Sequence, residues 1–454
     1  MWQFSNRFQY AVWVTLSALE ILVSTATLST PQAIAAEARV LPQGRSRLAL
    51  IQGQTAAITE TTTNDGERVS IMSPYQLELS GQNFRRADPR VSDLVQWLNN
   101  QSNYRYDISD NSNHGVVFSN NSALPLLGDA LSRGSLGIDA EVHRTQYVVA
   151  YQYGVTSRWS AGFAIPIVKH SVHFRHAING RNTARDIYQG FAAGNAGSAQ
   201  QLVDGLSLLS QIDTETFQGV LQTRGYQRFE DYEGSGLGDA ILGSRYLYLE
   251  RSTKFGLLMN AFQSQITVPT GGLASPDNLT ELDFGAGAWT AQLIHTTTFT
   301  LNSRYTLSHQ LGYTAKLPFS RLRRVPSQPG DFLPGPANEE NVQIKLGNQW
   351  MTSAGFKAQL NPTVSLDSQI FWEWKARDSM SGSRQPTASY EAMSYGTDSA
   401  SCYAQFSVIA SSISAFLKNR FALPGDLTLT WSQPINGRNQ ILTPYGIAEL
   451  ALYF

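Results

Sequence analysis

Four stretches carry side chains that could do chemistry. In HSVHFRH, His170, His173 and His176 stand three apart. A helix would align all three and could offer them to zinc, which needs ligands converging on one point. The neighbouring residues read as a strand, which puts His170 and His176 on one face and His173 on the other. Solvated rim histidines are the expectation. In DISDNSN, Asp107 to Asn113 supply closely spaced oxygens, without the glycine and terminal glutamate of a calcium loop. That spacing predicts a polar surface loop. Ser308 beside His309 suggests a nucleophile and its base, yet adjacent residues of a strand face opposite ways. The chain has neither GxSxG nor HExxH. No catalytic residue, metal site or cofactor is expected. The fourth stretch is basic: Arg321, Arg323 and Arg324, with Lys316 nearby. Guanidinium groups pair well with phosphate. If they lie on an outward loop, lipopolysaccharide phosphate is the expected contact.

The elements that must position these residues follow from bulk composition. The chain has 454 residues, with 34 Lys and Arg against 35 Asp and Glu, a net charge of -1. That balance offers no electrostatic case for nucleic acid. Charged residues make up 15%, against about 25% in soluble domains. Aromatics reach 11% and glycines number 36. Mean hydropathy is -0.22, and beyond the N-terminal region no apolar run approaches the roughly 20 residues of a spanning helix. Such a composition fits a transmembrane β-barrel, whose strands are apolar on one face only. Residues 1–35 read as an export signal: Arg7, then a mostly apolar Ala11 to Leu28 interrupted by Glu20, then the small residues Ala33 to Ala36. A retained N-terminal anchor is the alternative. The single cysteine, Cys402, offers no intramolecular disulfide.

Residues 36–454 read as one barrel of about twelve antiparallel strands. Tyr147, Val149, Tyr151 and Tyr153 alternate with polar or small residues. So do Trp159, Phe163, Ile165 and Ile167, and so do Leu366, Ile370, Trp372 and Trp374. NVQIKLGNQWMTSAGFKAQL keeps phase through nearly twenty residues, and Ala404 to Leu423 reads as a noisier strand. Connections alternate long and short, with inserts at about 60–142 and 175–235. That rhythm puts the long loops outside the cell and both termini in the periplasm. The apolar parity faces lipid. The other parity, with Asn302, Arg304, Gln369, Glu373 and Glu449, is expected to line the lumen. A large soluble β-sandwich alternates too and is the competing architecture. Helical spacing recurs in DPRVSDLVQWLNN and in SAQQLVDGLSLLSQIDTETFQGVLQ. Each predicts an amphipathic helix that either packs on the loop rim or enters the barrel. GIAELALYF, Gly446 to Phe454, reads as a closing strand with Leu450, Leu452 and Phe454 toward lipid.

GLGDAILGSRYLYLE, ITVPTGG, DFGAGAWTAQL and LPGDLTLTWSQPINGRN together resemble the outer-membrane barrel family named for the meta-pathway of phenol degradation. The resemblance rests on Gly238-Asp239 leading into a strand, Pro269 to Gly271 leaving one, the Gly-rich strand around Trp289, and Pro434, Gly437 and Asn439 in a hairpin. It covers roughly Tyr147 to Phe454. A related uncharacterised outer-membrane barrel family, with a helix in a loop, is the second resemblance. The first resemblance implies a non-enzymatic outer-membrane channel or exporter for small or hydrophobic solutes, with no solute named. The alternative is a plugged structural or surface-binding barrel that displays its loops. The ending on Leu450, Leu452 and Phe454 resembles the signal by which such barrels are handed to their assembly machinery. The expected partners are therefore that machinery, outer-membrane lipid and lipopolysaccharide.

Overall fold

Alternation over nine or more residues forces a sheet whose two faces meet different surroundings. The computed structural model describes residues 37–454 except 74–75, 84–88, 303 and 329–332. The expected export signal therefore lies outside the described residues. Twelve strands form the wall: β1 Ser46–Thr55, β2 Ser132–Thr156, β3 Trp159–Asn179, β4 Ala240–Thr253, β5 Gly256–Val268 and β6 Thr290–Leu301. The rest are β7 Tyr305–Lys316, β8 Gln349–Gln359, β9 Val364–Lys375, β10 Ser399–Ser411, β11 Gly425–Arg438 and β12 Tyr445–Tyr453. Each pairs antiparallel with its sequence neighbour, and β1 pairs with β12 from Arg47↔Tyr453 to Thr55↔Tyr445. The sheet is therefore a closed barrel without an edge. Even the shortest wall strand, β12 with 9 residues, is long enough for a tilted crossing of the hydrocarbon layer.

The outer face is apolar. Tyr147, Val149, Phe163, Ile165, Leu242 and Phe262 are exposed on β2 to β5, and Leu307, Leu311, Trp350, Ile370 and Trp374 continue the belt. The opposite parity is buried and mixed in polarity. On β9, Phe371 and Lys375 are buried and Gln369 and Glu373 half-buried, between the exposed Leu366, Ile370 and Trp374. Exposed apolar residues on this scale have no place in water and mark the surface that lipid covers.

Three expected segments are cut differently. The long in-phase run stops at Lys345: Glu339–Lys345 belongs to a separate three-stranded sheet with Phe319–Arg324 and Ser379–Ser381, and the wall resumes at Gln349. Gly347 makes the break, because a Cβ there would fall 1.7 Å from the Ala376 carbonyl oxygen. The noisy strand ends at Ser411 and is followed by a helical turn, Ile413–Phe416. The helix expected over 198–222 is two helices. In chain order the helices are α1 Pro89–Asn99, α2 Thr183–Gly190, α3 Gln200–Ser210, α4 Thr214–Thr223 and α5 Thr387–Ser394. Asp213 divides α3 from α4, because its carboxylate caps α4 through the Thr216 amide at 2.8 Å.

The chain divides into two compact units. Of the described residues, one comprises 37–71, Ala140–His173 and Phe229–Phe454; the other comprises those within Met72–Asp139 and Phe174–Arg228. The second unit has its own core, in which Leu94, Val95 and Leu98 of α1 pack with Ile187 of α2 and with Val203 and Leu206 of α3. The helical stripes read from the sequence are thus buried against one another. Tyr106 donates to Asp186 at 2.7 Å, and Arg181 pairs with the same carboxylate at 2.7 Å. Asp107 and Asp110 close their own turns by accepting from Ser109 and Ser112.

Candidate functional site: the barrel lumen

Inward parity brings charged and amide side chains of distant strands together. Arg47 of β1 pairs with Glu449 of β12, both buried. Gln369 of β9 donates to Ser353 of β8 at 2.6 Å, and Ser353 donates to Gln310 of β7 at 3.3 Å. Beside these groups, Ala49, Ile51, Val148, Phe371, Tyr403, Tyr445 and Ile447 form one apolar cluster, with Phe371 stacked on Tyr403 at 5.3 Å. Ion pairs and amide chains satisfy groups that the narrow interior would otherwise leave dry and unpaired.

A segment that periodicity does not reveal occupies part of this interior. Residues 37–40 form no helix or strand, yet Ala38 is fully buried and packs with Leu247, Met259 and Ala261. Three inward side chains hold the segment. Arg245 of β4 donates to the carbonyl oxygens of Glu37 at 2.9 Å and Arg39 at 3.2 Å. Thr298 of β6 accepts from the Ala38 amide at 2.9 Å, and Lys357 of β8 pairs with Glu37 at 2.6 Å. Because β4, β6 and β8 all contribute, the segment lies inside the barrel wall. No element signal marks it. Its only trace in the sequence is a place shortly before β1.

An open cavity of about 100 Å³ lies toward β1 to β5. Its inward lining is mainly apolar or small (Ile51, Val148, Ala150, Ala164, Ile241, Gly243), with Arg47, Arg245 and the amides of Gln152, Gln263 and Gln265 among them. Tyr151 and Phe163, which face outward, also border it. Arg245 is thus common to the cavity and to the latch on residues 37–40. An apolar surface with a few hydrogen-bonding groups suits a small, mostly apolar molecule.

Three of the five residues expected to line the lumen face inward: Gln369, Glu373 and Glu449. The other two do not. Asn302 and Arg304 lie in the tight turn between β6 and β7 and are exposed. Asn302 has φ 48, a left-handed conformation that asparagine tolerates in turns. Reading one continuous strand across that turn caused the error. Leu450 and Phe454 are exposed on the outer face, and the backbone of Phe454 exchanges hydrogen bonds with Ser46 at 3.0 and 3.1 Å.

The basic stretch is not offered to solvent. Arg321, Arg323 and Arg324 are 7%, 9% and 8% exposed. Arg321 binds Asp283 through both terminal nitrogens, at 2.6 and 2.9 Å. Arg324 reaches Asp277 at 3.0 Å and Glu339 at 3.2 Å. Tyr390 of α5 donates to Glu340, and burial together with that bond raises the Tyr390 pKa. His170 is fully buried, with Nε2 3.1 Å from the Asp283 carbonyl oxygen and its ring stacked on Phe284. Two of the motifs behind the family resemblance, Gly238-Asp239 and Pro269 to Gly271, converge nearby. Asp239 accepts from the amides of Gly271 at 2.9 Å and Ala286 at 2.7 Å, and Thr270 donates to the Gly238 carbonyl at 2.8 Å. These contacts stitch the connections after β3, β5, β7 and β9 into one ordered cap.

No family model matches the sequence, and no curated protein matches it. Among solved structures, the chain is similar to an outer membrane channel from Pseudomonas putida F1. The identity is 10%, the alignment covers 92% of this chain and 99% of that one, and the TM-score is 0.48. It is also similar to the translocator domain of the autotransporter NalP from Neisseria meningitidis, at 8% identity, with 96% and 98% of the chains covered and a TM-score of 0.36. The toluene transporter TodX of P. putida follows at 10% identity, 91% and 89% coverage and a TM-score of 0.29. The closed twelve-strand sheet, its apolar outer belt and its mixed interior make this chain an outer-membrane β-barrel protein.

Proposed function

We propose that the barrel is a narrow passage for small, mainly apolar solutes, held shut by residues 37–40. The observation that carries this reading is the shared position of Arg245. It lines the open cavity and donates to the carbonyls of the inserted segment. A solute that fills the cavity would compete for the donors that hold the segment. Removal of the segment breaks those bonds, the Thr298–Ala38 hydrogen bond, the Lys357–Glu37 pair and the packing of Ala38 and Val40. The wall strands stay paired throughout. The resemblance to the phenol-degradation barrels supports an apolar solute. Selection would come from width and from the polar groups of the lining.

The second reading is a barrel that stays plugged and serves to display its loops. The apolar cluster around Phe371 and Tyr403 favours it, since these side chains fill part of the lumen. Planar-bilayer conductance of the full chain separates the two. The passage reading expects low conductance from the unaltered protein and a several-fold rise for the Arg245→Ala, Lys357→Ala double variant. The same rise is expected in the leakage of a small uncharged aromatic probe from liposomes. A double variant that folds and remains as tight as the unaltered protein, also after deletion of residues 37–40, overturns the passage and leaves the display reading.

A further inference from the structure

Four of the short connections between wall strands span only 157–158, 254–255, 302–304 and 360–363. The fifth, between β10 and β11, spans 412–424 and is a built element. Ser412 clamps its two ends, donating through Oγ to the Leu423 carbonyl at 2.8 Å and accepting from the Gly425 amide at 2.9 Å. The turn Ile413–Phe416 ends at Asn419, which takes φ 55. Arg420 N–H then donates to Ala415 at 2.9 Å and Asn419 N–H to Phe416 at 2.9 Å, the pairing of a left-handed helix stop. This ordered turn covers no core. Leu417 is 75% and Phe421 58% exposed, and Phe416 and Leu423 are exposed as well. They prolong the lipid-facing rows that end in Val408 on β10 and begin in Leu427 on β11. Between them stand Lys418 and Arg420, both exposed and neither in an ion pair with a described residue.

The same end of the barrel repeats this pairing of cation and aromatic ring. Arg158 precedes Trp159, Lys254 lies over the Phe255 ring at 4.8 Å, and Arg304 precedes Tyr305. The carboxylates near them include Glu250, which is exposed, and Asp426, which is half-buried and accepts from Tyr453 at 2.7 Å. In a chain of net charge -1, that excess of cations is local. Aromatic rings settle at the boundary between hydrocarbon and headgroups, and guanidinium and ammonium groups pair with phosphate.

We propose that the 412–424 turn is a docking surface for anionic phospholipid headgroups, with Phe416, Leu417, Phe421 and Leu423 in the acyl boundary and Lys418 and Arg420 on the phosphates. Continuity with the lipid-covered belt and the charge of the turn select this occupant. The test uses the full folded chain in detergent and measures lipid retention by native mass spectrometry. Phosphatidylglycerol should be held more tightly than phosphatidylcholine. The Lys418→Gln, Arg420→Gln variant should lose about tenfold in phosphatidylglycerol affinity and leave phosphatidylcholine unchanged. Equal retention of the two lipids, or a double variant that matches the unaltered protein, overturns the proposal. A second measurement labels Leu417→Cys with a polarity-sensitive fluorophore; Cys402 is buried and stays unlabelled. Emission should shift to the blue in phosphatidylcholine–phosphatidylglycerol vesicles. Fully aqueous emission overturns the proposal.

Discussion

RLRR and LKNR look alike as sequence, yet the barrel uses them in opposite ways. Arg321 and Arg324, in the cap on the long-loop side, are buried against carboxylates from other connections. Lys418 and Arg420, on the short-turn side, are exposed and form no ion pair with a described residue. The difference lies in residues far along the chain. Asp283 stands 38 positions from Arg321 and Asp277 47 positions from Arg324. A basic cluster therefore reveals a partner only once the fold has shown which of its charges are already neutralised. In the cap, charge holds loops together. On the turns, it remains available to an outside group.

The comparison can be broken most forcefully in the cap. Arg321→Ala leaves the Asp283 carboxylate buried without its partner and should cost about 3–5 kcal/mol. The loops at 269–289 and 317–348 should become open to protease and fast in hydrogen exchange while the wall stays intact. Lys418→Gln with Arg420→Gln should change stability by less than about 0.5 kcal/mol, as ordinary surface substitutions do, measured by urea unfolding of the reconstituted barrel. Equal losses in the two variants would erase the distinction between the ends. Phe454→Ala should act next most strongly, and on assembly. The ring is exposed to lipid and the backbone already closes the seam with Ser46, so surface levels should fall more than the stability of the folded barrel. Unchanged surface levels would remove any assembly role.

The smallest expected effect is a pH step in the helical unit. The hydrogen bond from the Thr216 backbone, followed by that from its side chain, holds the Asp213 carboxyl below its ordinary pKa of 3.8. A lowered folded pKa means that the contribution is fully present above that ordinary value. It is lost as pH falls through the lowered one. The N-terminus of α4 should fray only in that acid window, visible as faster hydrogen exchange over 214–223. Asp213→Ala should remove the step. A step that persists in the variant belongs to another group.

Much of the wall was legible because lipid imposes a simple rule on every strand. One parity must be apolar, so Trp350, Ile370, Trp374 and Leu450 could be placed without knowing their neighbours. Gln369, Glu373 and Glu449 followed as the opposite parity. The same rule misplaced Asn302 and Arg304, because a two- or three-residue turn between in-phase strands hardly disturbs the alternation. It also missed residues 37–40, which have no regular structure and are held by β4, β6 and β8.

By itself the sequence determined the wall strands, their inner and outer faces and the rhythm of long and short connections. Each of these is local, decided by a side chain and its nearest neighbours in the chain. Only the tertiary structure decided what fills the lumen, which arginines are neutralised and which cations stay exposed. Those outcomes depend on pairs such as Arg47 with Glu449, separated by 402 positions. Such pairs meet only when the barrel closes, and no pattern along the chain encodes the encounter.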